Sequence, residues 1–161
     1  MTRSFEQLSR EQALQKARHY CAYQDRSHME VRQKLYGFGL RKKEVEEIMA
    51  ELIGEDLLNE TRFAVQFAGG KFRIKKWGKI KIAYELKQKQ VSAYNLRLAL
   101  SEIDAEAYEK VLAKLASAKW KSLRGVPNYS RQVRTLNYLR QKGFEAGLAQ
   151  SVLKQLQQDK T

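Results

Sequence analysis

Apolar residues recur at three- and four-residue steps along most of the chain, with polar residues between them, so the pattern predicts amphipathic helices. Three stretches carry it in the same phase without a gap: SHMEVRQKLYGFGLRKKEVEEIMAEL (27–52), GKIKIAYELKQKQVSAYNLRLALSEI (78–103) and RQVRTLNYLRQKGFEAGLAQSVLKQL (131–156). Anchored on Leu35, Leu86 and Leu139, they share apolar residues six positions earlier (Met29, Ile80, Val133) and five later (Leu40, Val91, Phe144). Two further columns stand fourteen later (Met49, Leu100, Leu153) and seventeen later (Leu52, Ile103, Leu156). Successive anchors lie 51 residues (35 to 86) and 53 residues (86 to 139) apart, and self-similarity at such a period marks stacked supersecondary units.

Each stretch reads as two helices joined by a tight connector just after the anchor leucine. Gly37, Gly39 and Gly143 can take the positive φ that ends a helix, while Gln90 stands where the second connector calls for glycine. Ser27 and Glu30 form the S-x-x-E pattern in which hydroxyl and carboxylate both satisfy amides at a helix start, and Asp25 suits that same end. Another amphipathic helix precedes each pair: LQKARHYCAYQ (14–24), TRFAVQFAGGKFR (61–73) and AEAYEKVLAKLASAKW (105–120). The expected fold is all-α: three tandem three-helix repeats, at 1–60, 61–103 and 104–161, forming an elongated, curved, solenoid-like molecule. The link KSLRGVPNYSR (121–131), rich in Gly, Pro, Asn and Ser, predicts a hinge at 121–130.

Composition sharpens this picture. A single proline, Pro127, fits helices punctuated by Gly and Asn, and a lone Cys21 beside two histidines makes neither a disulfide nor a metal set. No apolar run approaches the ~20 residues of a spanning helix, and the N-terminal residues lack a hydrophobic signal core, so a cytoplasmic protein with no membrane association is expected. The net charge of +13 is uneven: residues 1–60 hold 10 Lys/Arg against 11 Asp/Glu, residues 61–120 hold 13 against 5, and residues 121–161 hold 8 against 2. A positive field confined to the later two-thirds favours a polyanionic partner, because phosphate contacts release condensed counterions.

Candidate chemistry follows the charge. No Gly-rich phosphate loop, H-E-x-x-H or C-x-x-C is present, and His19 and His28 are the near-neutral bases, so neither a catalytic site, a metal site nor a cofactor is expected. The acidic run EVEEIMAELIGEDLLNE (44–60) places Glu44, Glu47 and Glu51 on one helical face and reads as a solvated face, or as a patch for a basic partner. The basic run KFRIKKWGKIKIAYELKQK (71–89) holds eight Lys/Arg and one acid, Glu85. In it Ile80, Ala83 and Leu86 read as core, whereas Lys71, Arg73, Lys75, Lys76 and Lys79 cluster near a helix junction where phosphates could be held. Phe72 and Trp77 are candidates for stacking on bases, although Trp77 reads first as a plug between repeats. A second basic set runs from Lys119 to Phe144 without an acid and includes Arg131, Arg134 and Arg140.

Four motifs in order resemble the RecX regulatory proteins of bacteria: QDRSHMEVRQKL (24–35), LLNETRFA (57–64), KWGKIKIAYELKQKQV (76–91) and LRQKGF (139–144). The resemblance covers about residues 13 to 157, with Gln90 in place of a usual Gly and Asn59-Glu60 in place of an Asp pair. It implies a non-enzymatic modulator, monomeric, that binds the RecA recombinase and its filament on single-stranded DNA. Such a protein restrains strand exchange, ATP hydrolysis and the coprotease activity tied to the SOS response. The expected contacts, assigned by charge and repeat position, are Lys71, Arg73, Lys75, Lys76, Lys79, Arg131, Arg134 and Arg140, with direct DNA contact possible for the set. The alternative is a general basic helical module that binds nucleic acid and acts by competing for DNA.

Overall fold

The structure is a computed structural model that describes residues 7–159. Every regular element among them is helical: α1 (Arg10–Tyr23), α2 (His28–Gly37), α3 (Lys42–Gly54), α4 (Glu60–Gly70), α5 (Lys79–Gln88), α6 (Ala93–Ser101), α7 (Ala105–Ser122), α8 (Asn128–Lys142) and α9 (Ala146–Gln158). A π-helical turn, Lys71–Lys75, continues α4. None of the described helices is long and apolar enough to cross a membrane.

The fold packs as two compact units. One holds the described residues up to Gln66 together with Leu86–Leu98; the other holds Phe67–Glu85 together with the described residues from Ala99 onward. In the first, α1, α2 and α3 pack on one another around Leu14, Val31, Leu35, Ile48, Met49 and Leu52, all essentially buried. In the second, α7, α8 and α9 do the same around Tyr108, Leu112, Leu139, Phe144 and Leu153.

Local chemistry sets the helix ends. Ser9 accepts from the Gln12 amide at 3.2 Å while the Gln12 side chain accepts from the Ser9 amide at 3.0 Å, a reciprocal cap for α1. Ser27, buried, caps α2 by accepting from the Glu30 amide at 3.1 Å. The expected return bond, from the Ser27 amide to the Glu30 carboxylate, is absent from this cap; that carboxylate instead accepts from Lys89 Nζ at 2.7 Å. Asp25 likewise pairs with Arg62, at 2.7 Å.

The repeat columns hold in part. Leu35, Leu86 and Leu139 are completely buried, and four residues after each comes a residue with positive φ: Gly39 at 86°, Gln90 at 60° and Gly143 at 98°. Gln90 therefore adopts the left-handed conformation that glycine adopts in the other two connectors, at a cost of about 1 to 2 kcal/mol for a side chain with a Cβ. The column six before the anchor is not core: Ile80 is 55% exposed and Val133 38%. Six residues turn a helix by 600°, leaving a side chain about 120° off the anchor's face, whereas four residues return it within about 40°. The core column is accordingly Val31, Ile82 and Thr135, each at 0% exposure. Thr135 fits there because its hydroxyl donates to the Arg131 carbonyl at 2.8 Å. The segment 121–130 is tied by turn bonds, Leu123 N–H to the Trp120 carbonyl at 3.2 Å and Val126 N–H to the Leu123 carbonyl at 3.1 Å, before α8 begins.

Candidate nucleic-acid interface

The basic cluster is built around one close approach of backbones. The Gly78 amide donates to the Lys142 carbonyl at 2.8 Å and the Ile80 amide to the Gly143 carbonyl at 2.9 Å, so the start of α5 satisfies carbonyls left over at the end of α8. Side chains are excluded from this contact. A Cβ on Gly78 would lie 2.3 Å from the Gly143 carbonyl group, and one on Gly143 would lie 2.3 Å from the Lys81 Cβ. Two glycines thus bring the lysines around residue 78 against the last turn of α8, which carries Arg140 and Lys142.

The approach to Gly78 is shaped by the π turn. It directs Phe72 inward and leaves Arg73, Ile74, Lys75 and Lys76 exposed. The turn closes at Lys76, whose φ of 59° is left-handed. Its own Nζ donates to the Arg73 carbonyl at 2.8 Å and its amide to the Phe72 carbonyl at 3.1 Å, which satisfies two helix-terminal carbonyls. On the facing side, Lys142 Nζ donates to the Lys75 carbonyl at 3.0 Å, and Arg140 stands exposed in the same last turn of α8.

Aromatic rings order the remaining lysines. Lys71 and Lys81 place their Nζ atoms 5.1 and 4.6 Å from the Trp77 ring centre, and Lys79 lies 5.1 Å from that of Tyr108. Tyr108 is the buried post beneath the corner. Its ring packs between Phe72 (5.7 Å) and Phe144 (5.3 Å), and its hydroxyl accepts from the Lys79 amide at 3.0 Å and donates to the Glu145 carboxylate. Burial, then the bond to Glu145, pushes its pKa up, so the phenol stays protonated and keeps Glu145 occupied as an acceptor.

Of the eight residues expected from sequence, Lys71, Lys75, Lys76 and Lys79 gather at this corner, Arg140 stands exposed in the last turn of α8 beside it, and Arg73 lays its guanidinium back along α4 over Gly69. Arg131 and Arg134 do not gather there. Arg131 lies nine residues back along α8, about 13 Å at 1.5 Å per residue, and engages Trp120. Arg134 is exposed beside that part of the helix. Phe72, buried against Tyr108, cannot stack on a base. Trp77 is half-buried under its two ammonium groups. Lys81 and Lys142 join the corner although sequence reasoning did not single them out for contact; the glycines that bring them there, Gly78 and Gly143, were the available signal.

The first unit contrasts with this. Its acidic run is largely occupied by arginines: Glu46 pairs with Arg32 at 2.9 Å, Glu51 with Arg10 at 3.3 Å, and Glu55 with Arg18, all partly or well exposed. Hydrogen bonds from Arg32 and Arg18 hold the Glu46 and Glu55 carboxyls below the usual carboxylate range. Among the described residues no group of three or more His, Cys, Asp or Glu is placed to hold a metal ion. Cys21 lies in the α1 core, where burial pushes its thiol pKa up.

Family models for the first and second three-helix domains of RecX match residues 13–52 and 59–100. The chain belongs to the RecX family. Its relatives include the regulatory protein RecX of Amycolatopsis mediterranei, 27% identical over 92% of this chain and 87% of that one, and that of Prosthecochloris aestuarii, 29% identical over 89% and 93%. The Oceanobacillus iheyensis protein is longer, and the 27% identical region spans 51% of it. A crystal structure of RecX from Lactobacillus salivarius matches with a TM-score of 0.85 at 21% identity, over 92% of this chain and 97% of that one. At that identity the match speaks for the shared all-helical RecX fold.

Proposed function

We propose that this RecX-family chain is a regulator that binds RecA and RecA filaments on single-stranded DNA and restrains their recombinase, ATPase and coprotease activities. The observation that carries the reading is the corner at Gly78–Gly143, where Lys71, Lys75, Lys76, Lys79, Lys81 and Lys142 meet on a backbone contact, with Arg73 and Arg140 on the flanking helix ends. Arg73, Lys75, Lys76 and Arg140 are exposed and the other four partly so, and cations at this density suit phosphates or an acidic filament surface. On this reading the chain acts in the cytoplasm as a monomer and without chemistry of its own. Its repeats at 1–60, 61–103 and 104–161 adjust about 121–130.

The test is charge reversal at Lys75 and Lys76. Both side chains lie outside the core, and the double Glu variant, its fold checked by circular dichroism because the Lys76 bond to the Arg73 carbonyl is lost, should inhibit RecA-dependent ATP hydrolysis on single-stranded DNA far less than the parent. Unchanged inhibition by a folded double variant removes this corner from the contact surface. A second reading, a nucleic-acid binder that merely competes for DNA, draws support from the half-exposed Trp77 held between two lysines. It predicts a binding constant that falls steeply with salt, with a log-log slope of about 0.7 per neutralised phosphate on single strands. It also predicts no inhibition unless the DNA is saturated.

A further inference from the structure

Trp120 and Arg131, separate from the lysine corner, are built into a site of their own. The Arg131 guanidinium lies 3.7 Å from the Trp120 ring centre, and its Nε and Nη2 both donate to the Trp120 carbonyl, at 2.9 and 2.7 Å. Those bonds occupy a carbonyl in the last turn of α7 and fix the arginine. A stacked, flat, cationic plane is therefore in place before any ligand arrives. It borders two open hollows. One, of about 370 Å³, is completed by Ser117, Lys121 and Arg124. The other, of about 410 Å³, is completed by Asn128, Gln132 and Gln157, with Leu156 and Asp159 bordering both.

The two sides differ in chemistry. Lys121 and Arg124, exposed and one turn apart at the end of α7, suit a phosphate. The amides of Asn128 and Gln132 offer donors and acceptors to a polar edge, and Asp159, which borders both hollows, adds an acceptor and one negative charge against the three cations Lys121, Arg124 and Arg131. A planar platform between a phosphate side and an amide side has the shape of a nucleotide, because aromatic rings and guanidinium planes both stack on bases. An inorganic anion or a peptide carboxylate would use the cations and leave the platform idle.

We infer that this pocket holds one nucleotide of a single strand, its base against the Trp120–Arg131 stack and its phosphate on Lys121 and Arg124. The inference rests on the reading that this chain meets single-stranded DNA. The test uses the full chain carrying Trp77→Phe, in which Trp120 is the only tryptophan. Its emission is followed while oligothymidylate is added at low salt, and binding is measured independently from the anisotropy of a labelled oligomer. The expected result is quenching of Trp120 in step with binding. Lys121→Ala with Arg124→Ala should weaken binding about tenfold or more at low salt and flatten its salt dependence, because two phosphate-contacting cations are lost. Oligomer binding without any change at Trp120 overturns the inference, as does quenching by an acidic peptide such as polyglutamate but not by the oligomer. RecA inhibition is measured in parallel with the parent chain, because Trp77 lies in the lysine corner: inhibition with a silent Trp120 overturns the pocket alone, and absence of both overturns the regulatory reading as well.

Discussion

Replacing Gly78 with alanine puts one methyl group where the structure has no room for it. The new Cβ would stand 2.3 Å from the Gly143 carbonyl carbon and oxygen and 2.4 Å from the Phe144 nitrogen, all of them backbone atoms that cannot rotate away. The start of α5 must therefore move off the end of α8. That breaks the bonds from the Gly78 amide to Lys142 and from the Ile80 amide to Gly143, at 2.8 and 2.9 Å. Each is worth about 0.5 to 1.5 kcal/mol net, and overpacking adds about 1 to 3 kcal/mol. A loss of about 2 to 6 kcal/mol follows, and for a chain of this size it lowers the thermal midpoint by about 4 to 24 °C. The assay is thermal unfolding followed by circular dichroism, with Gly147→Ala as control: that position, in α9, has nothing within 4 Å of an added Cβ. The control should hold or gain stability because alanine favours helix. A Gly78→Ala midpoint within about 2 °C of the parent refutes the claim that this glycine pair brings the basic segments together.

Two left-handed residues predict opposite trade-offs. Gln90→Gly removes strain in a connector outside the basic corner and should raise stability by about 1 kcal/mol, read from the urea midpoint, with RecA inhibition unchanged. Lys76→Gly relieves similar strain but removes a contact cation, so it should not lose stability yet should inhibit RecA less; an equally active Lys76→Gly chain contradicts the assignment. His28 gives a pH signature. Burial lowers its pKa from 6.5, opposed by Glu60, reinforced by Arg32 and opposed by Glu46. The unfolded chain then binds more protons below about pH 6.5, so stability falls as the pH drops through the folded pKa. Between pH 7.5 and 5.5, above the window of the carboxylates, His28→Asn should lose less urea stability than the parent; equal losses refute the role of His28.

Much of the architecture is legible in the sequence because helical periodicity and repetition are local signals. The anchors Leu35, Leu86 and Leu139 and the three left-handed connector positions could be lined up by eye. The column containing Ile80 shows where alignment misleads: identity of residue type across repeats does not guarantee the same helical face, and Ile80 points to solvent while Ile82 is buried. The corner was half legible. Its cations were visible as runs, but a run does not say which lysines will meet, and the union of residues 75–81 with 140–143 depends on a contact between segments more than sixty residues apart. Long-range pairing also hid the partners of the acidic run, since nothing in 44–60 announces arginines at 10, 18 and 32.

The most direct test of the regulatory account is ATP hydrolysis by RecA on preformed single-strand filaments at moderate salt, titrated with this chain from well below one copy per RecA. The account predicts progressive loss of hydrolysis at ratios far too low to cover the DNA. Loss that appears only when the chain saturates the DNA, and that modest added salt abolishes, contradicts it and leaves a simple competitor for the strand.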